Sequence, residues 1–167
     1  MSKVLVVLET TASGLRSSSL PGITCGQKVA AAAGGELHLL VLGANPQGVA
    51  QSVAAAGYGA KAVHALADAA LEPFTAEAWA DAIVHAARTL GATHVGGTAT
   101  SSLRDALPRA AAILDAPLVP EIVAVKSGDT FTRPVSAGRA LLDVQAKGSN
   151  TWCYVLATRT LSSGACP

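Results

Sequence analysis

Residues 3–9 read Lys-Val-Leu-Val-Val-Leu-Glu, an apolar, β-branched run ending on one acid, which predicts a strand buried on both faces of a sheet. The polar stretch 10–19 leaves it as a loop. Pro21 then suits a first helical turn, Ile23, Ala30 and Ala33 recur at helical spacing, and Gly34-Gly35 supplies the stop. Residues 37–42 give a second apolar strand, residues 47–56 a short alanine-rich helix, and residues 61–65 a third strand. Thr75 is placed to cap a helix whose Trp79, Ile83, Ala87 and Leu90 share one face before Gly91 ends it. Residues 92–96 supply a fourth strand, and the run Gly97-Thr98-Ala99-Thr100-Ser101-Ser102 leads into a helix carrying Leu103, Leu107, Ala111 and Leu114. Ser102 and Asp105 fit a Ser-x-x-Asp cap, and Pro108 predicts a kink.

Strands alternating with helices at this spacing build right-handed βαβ units, so the expected fold is α/β: three layers around a doubly wound, mostly parallel sheet. From Glu121 the pattern changes. Residues 121–126, 130–135, 141–146 and 151–158 are strand-like and separated only by Ser-Gly-Asp, Ala-Gly and Gly-Ser-Asn turns, which predicts an antiparallel β extension of the sheet in the last third. Residues 1–161 form one expected domain, with 162–167 as a flexible tail.

At 167 residues, 50% of them hydrophobic, the chain can bury one sizeable core. A net charge of +1, with acids and bases interspersed, leaves no electrostatic footprint for nucleic acid or an anionic membrane surface. The apolar runs fall far short of the roughly 20 residues that span a bilayer, so no membrane segment is expected. The amino end lacks the long apolar core and small-residue cleavage site of a secretory signal, which makes the cytoplasm the expected compartment. Cys25, Cys153 and Cys166 are odd in number, widely spaced and form no Cys-x-x-Cys pair, implying neither a disulfide framework nor a zinc site.

In open α/β sheets, ligands bind outside the carboxyl ends of the strands. That selects the loops at Glu9-Thr10, Gly43-Ala44 and Gly97 to Ser102. Thr98, Thr100, Ser101 and Ser102 at a helix amino end can hold a phosphate or carboxylate, and Glu9 can accept hydrogen bonds from a ligand or orient the neighbouring loop. The glycine fingerprints of dinucleotide and P-loop sites are missing, as is the Gly-x-Ser-x-Gly elbow, so the chain is not read as an enzyme. His38, His64, His85 and His94 show no metal-ligand spacing and read as structural. Arg104 and Arg109 read as a solvated helix face or surface ion pairs, and Trp79 as core. Arg133, charged within a strand, and Trp152, which opens the last strand, are candidate interface residues.

Three segments carry a family resemblance: residues 4–9, residues 107–115 (Leu-Pro-Arg-Ala-Ala-Ala-Ile-Leu-Asp), and Gly128 to Pro134 followed by Ala137-Gly138. Together with the closing Leu-Ala-Thr-Arg-Thr of 156–160, they resemble the amino-terminal domain of the electron-transfer flavoprotein α-subunit family. Ser136 and Arg139 stand where that family usually has Tyr and Asn, which adds Arg139 to the candidate interface with Arg133 and Trp152. The resemblance implies an adenine-nucleotide α-hydrolase-like fold and a heterodimer with a β-subunit whose own homologous domain holds AMP. It also implies that the redox FAD belongs to a second domain, which the chain stops before. The resulting expectation is a non-catalytic component that pairs with a β-like subunit, or with its own copy, and holds no cofactor itself; FAD appears only in the missing domain or the partner complex. The alternative is a stand-alone AMP-binding module using Glu9, Thr98, Thr100, Ser101 and Ser102.

Overall fold

The computed structural model describes residues 1–148 and 151–156. Strand β1 (Lys3–Leu8) is apolar at every inner position because both its faces are covered: Val4, Val6 and Leu8 join one buried cluster, Leu5 and Val7 the other. A two-stranded hairpin of β2 (Thr10–Thr11) and β3 (Gly14–Leu15) fills the loop that follows. Helix α1 (Leu20–Ala32) returns the chain to β4 (Glu36–Gly43), α2 (Gln47–Ala56) to β5 (Ala62–Ala67), and α3 (Ala76–Leu90) to β6 (His94–Thr98). Thr75 caps α3 by accepting from the Ala78 amide at 3.3 Å, and Gly91 ends it in the left-handed region at φ 68°. Helix α4 (Ser101–Ile113) then continues past Pro108 to β7 (Leu118–Ile122).

The main sheet has six strands once β11 (Trp152–Leu156) is added, in the order β5-β4-β1-β6-β11-β7, and every neighbouring pair is parallel. One face carries α1 and α2, with Ile23, Val29 and Val53 packed on Val4, Leu39 and Val41; the other carries α3 and α4, with Ile83, Leu103 and Leu107 packed on Leu5, Leu40 and Val95. This is the expected three-layer, doubly wound α/β architecture.

The last third differs in detail from the expected extension. β8 (Ala124–Val125), β9 (Thr130–Val135) and β10 (Ala140–Gln145) are antiparallel but form a separate three-stranded sheet, and β11 returns to the parallel sheet between β6 and β7. A parallel slot between two strands already set apart suits a short apolar strand better than an exposed edge does, since both ladders of hydrogen bonds are then satisfied. The end of the expected strand 151–158, the 156–160 closing run beyond Leu156 and the tail 162–167 lie outside the described residues, as do the side chains of Trp152 and Cys153.

Phe131 and the turn before β9 help tie the small sheet to the large one. Phe131 is fully buried in the cluster of Val29, Ala30 and Val119. The turn before β9 is held by Asp129, which accepts from Ser127, Thr130 and Gln145 at 2.7, 2.9 and 2.7 Å; those donors hold its carboxyl down at about 2. His94 Nε2 donates to the neighbouring Gly128 carbonyl at 2.6 Å, joining that turn to β6.

Candidate functional site

The order of connections fixes where a crevice opens. From β1 the chain runs outward through β4 to β5, then crosses to β6 on the other side of β1. Helix α1 after β1 and α4 after β6 therefore leave on opposite faces, and the loops diverge at the carboxyl ends of these two central strands. Glu9 and Thr100 stand there.

Both backbone polar groups of Glu9 and one carboxylate oxygen are hydrogen-bonded. Its amide donates to Ser19 Oγ at 2.9 Å, and its carbonyl accepts from Ser19 Oγ at 3.1 Å and from the Arg16 amide at 3.0 Å. Its side chain, in a residue only 6% exposed, accepts from Thr100 Oγ1 through Oε1 at 2.9 Å. Glu9 Oε2 is buried and has no hydrogen-bond partner among the described residues. Thr100, rather than Ser102, is the N-cap of α4: its Oγ1 accepts from the Leu103 amide at 3.3 Å. A Ser-x-x-Asp pattern at 102–105 has a competitor two residues earlier, and Thr100 alone reaches both the helix and Glu9.

The hydroxyl run does not act as one cluster. Alternation along β6 turns Thr98 to the α1 face, where its Oγ1 is buried without a partner among the described residues and a Cβ on Gly22 would lie 2.8 Å from it. Ser101 is exposed. Ser102 lines a cavity of about 260 Å³ together with Glu9, Thr10, Arg16, Glu72 and Trp79. Of the five predicted residues, the structure brings together Glu9, Thr100 and Ser102. Arg16 and Glu72 escaped the sequence reading. Arg16 is embedded in a loop with no pattern of its own. Glu72 reaches Gly43-Ala44 from a distant segment, accepting from the Ala44 amide at 3.1 Å, and its only sequence hint is an acid beside Pro73. Among the described residues no group of three or more His, Cys, Asp or Glu side chains could hold a metal ion.

The crevice also depends on close backbone approach at Gly97. A Cβ there would lie 2.7 Å from Leu103 Cδ1 and 3.2 Å from the Val7 carbonyl oxygen. Gly97→Ala is expected to destabilise the chain by about 1–3 kcal/mol through overpacking, read as a lower urea midpoint with an unchanged slope.

The candidate interface residues lie elsewhere. Arg133 is half-buried on β9 opposite Leu142 of β10, and its Nε has no hydrogen-bond partner among the described residues. Arg139 is exposed just before β10. Trp152 begins β11, where its backbone pairs with His94 of β6, and β11 lies between β6 and the edge strand β7. Leu141 and Leu142 on β10, which the sequence reading treated only as part of a strand, are 67% and 50% exposed. Arg104 and Arg109 make the expected surface ion pairs, with Glu121 and Glu77. No helix among the described residues is long and apolar enough to cross a membrane.

A six-stranded parallel sheet with helices on both faces, a crevice lined by its own polar groups and a small antiparallel sheet define a doubly wound, three-layer α/β domain. The family model of the electron transfer flavoprotein domain matches residues 4–160, and the chain belongs to that family. Curated α subunits are among the proteins it is similar to. It is 35% identical over 146 residues to the electron transfer flavoprotein subunit alpha of Pseudomonas aeruginosa, covering 87% of this chain and 45% of that protein. It is 32% identical over 146 residues to a probable mitochondrial α subunit of Caenorhabditis elegans, covering 87% and 42% of the two chains. A probable mitochondrial α subunit of Cryptococcus neoformans var. grubii is 34% identical over 145 residues, covering 85% and 40%. The chain thus spans less than half the length of these curated relatives.

Proposed function

We propose that this domain is the subunit-pairing component of an electron-transfer flavoprotein system, docking a β-like subunit through the β9–β10 hairpin. The observation that carries the reading is β10. It is an edge strand of the small sheet, it is exposed along most of its length, and it presents Leu141 and Leu142 to solvent on its two faces. Soluble proteins blunt such edges with charge, proline or cover; a long apolar edge left open is a template for pairing. Arg133, beside Leu142 in the ladder, adds a guanidinium whose Nε is buried and unpaired among the described residues, and an acidic or carbonyl group from a partner would complete it. On this reading FAD is held by a further domain or by the complex, and this domain contributes surface rather than redox chemistry.

Co-expression with a β-like electron-transfer flavoprotein subunit tests the pairing. A stable complex is expected on size exclusion, and the double substitution Leu141→Lys, Leu142→Lys is expected to weaken it on the order of a hundredfold while leaving thermal unfolding of the isolated chain unchanged. Equal co-purification of the double variant would sink the assignment to this hairpin. A chain that stays monomeric beside every such subunit would sink the pairing role itself.

A further inference from the structure

We propose that Glu9 is the resident anion of the switch-point crevice: its buried carboxylate takes the place at the amino end of α4 that the phosphate of a nucleoside monophosphate would otherwise take, and so excludes such a ligand. The inference stands apart from the subunit-pairing role. Helix amino ends at the carboxyl edge of a parallel sheet favour negative charge, and α4, running from Ser101 to Ile113, presents one at this crevice. The group that meets it here belongs to the chain. Thr100 Oγ1 accepts from the Leu103 amide at 3.3 Å, and its single proton goes to Glu9 Oε1 at 2.9 Å, so the cap hydroxyl has no proton left for a ligand.

Loop movement does not readily withdraw the carboxylate, because Glu9 is clamped through both backbone groups by Ser19 and Arg16. Its Oε2 is buried with no hydrogen-bond donor among the described residues. Glu72 adds a second carboxylate to the cavity wall, and both it and Arg16, the cation on that wall, are exposed. An incoming phosphate would meet the Glu9 carboxylate, which is buried where water screens charge poorly. The hydroxyls that suggest a phosphate cradle in the sequence are divided: Thr98 faces α1, Thr100 is committed to Glu9, and Ser101 points into solvent.

Isothermal titration of the purified chain with inorganic phosphate and with AMP tests this. The wild type is expected to give no saturable heat at millimolar ligand. Glu9→Gln keeps the shape and an acceptor for Thr100 but removes the charge, and it is expected to bind at least one of the two probes on the order of tenfold or more tightly than wild type. Glu9→Ser, which also removes the charge and shortens the side chain, is the second variant should the glutamine misfold. Glu72→Gln is expected to remain silent. Binding by the wild type as tight as by Glu9→Gln would overturn the proposal, and so would silence from both Glu9 variants or a gain confined to Glu72→Gln.

Discussion

Replacing Phe131 by alanine is expected to cost roughly 3–5 kcal/mol of unfolding free energy, the largest effect of any single truncation proposed for this chain. Phe131 is fully buried, and it is the aromatic side chain that the small antiparallel sheet inserts between α1 and the large sheet. Around it Val125 and Val144 are only partly buried, so the remaining apolar contacts of that sheet cannot close over the space the ring leaves. Urea unfolding followed by circular dichroism measures the effect, and a loss under about 1 kcal/mol would show that the small sheet docks by its backbone and turns instead. A second consequence links stability to the proposed role. If β10 pairs with a partner, Phe131→Ala should also weaken the complex although Phe131 is not on the exposed edge, because the hairpin would no longer be held at a fixed angle. Loss of stability with full retention of pairing would mean that the partner itself orders the hairpin.

The contrast between two hydroxyl residues shows what the sequence makes legible and what it does not. Thr75 was readable as a helix cap because capping is local: the bond spans three residues and the apolar stripe of α3 fixes the register. Thr100 caps its helix as locally, but its tie to Glu9 spans ninety-one positions, and nothing in either segment names the other. Strand β1 was plain from its apolar run, since burial on both faces leaves no polar positions to confuse the period. The place of β11 is hidden from the sequence for a related reason. Its five residues fit an edge as well as an interior strand, and what decides is the slot between β6 and β7, which exists only after the rest of the sheet is assembled. Leu141 and Leu142 belong to a run that the sequence marks as a strand, but their exposure depends on what the assembled sheet leaves uncovered. His38 and His64 seemed unrelated twenty-six residues apart, yet parallel pairing of β4 with β5 sets Leu40 opposite His64 and brings the two rings together on one face.

That histidine pair underlies the second large effect, a fall in stability as the pH drops from 7.5 towards 5. His38 Nδ1 and His64 Nε2 are 3.1 Å apart, and such a bond needs one nitrogen to carry the proton and the other to accept it. Burial lowers the pKa of His38, with further lowering from His64 and Lys3, against the pull of Glu36 whose Oε2 is 3.6 Å from Nε2. Burial also lowers His64, and it lowers His94 despite the Gly128 carbonyl and Asp129 acting the other way. All three folded values lie below the ordinary 6.5, so as the pH falls through 6.5 the unfolded chain binds protons that the folded chain refuses. Their contribution is therefore complete above pH 6.5 and is lost between that value and the lowered folded values. Asp129, held at about 2 against an ordinary 3.8, adds a separate loss only at lower pH, below about 4. Unfolding free energy from urea titrations at half-unit intervals between pH 5 and 7.5 should decline steadily with falling pH, and His64→Gln should flatten that decline, because a glutamine cannot take up a proton in the unfolded chain and relieves His38 of a like-charged neighbour. A profile that stays level across this range, or an equal slope in the variant, would show that the pair can be protonated in place at little cost, with Glu36 supplying the compensating charge.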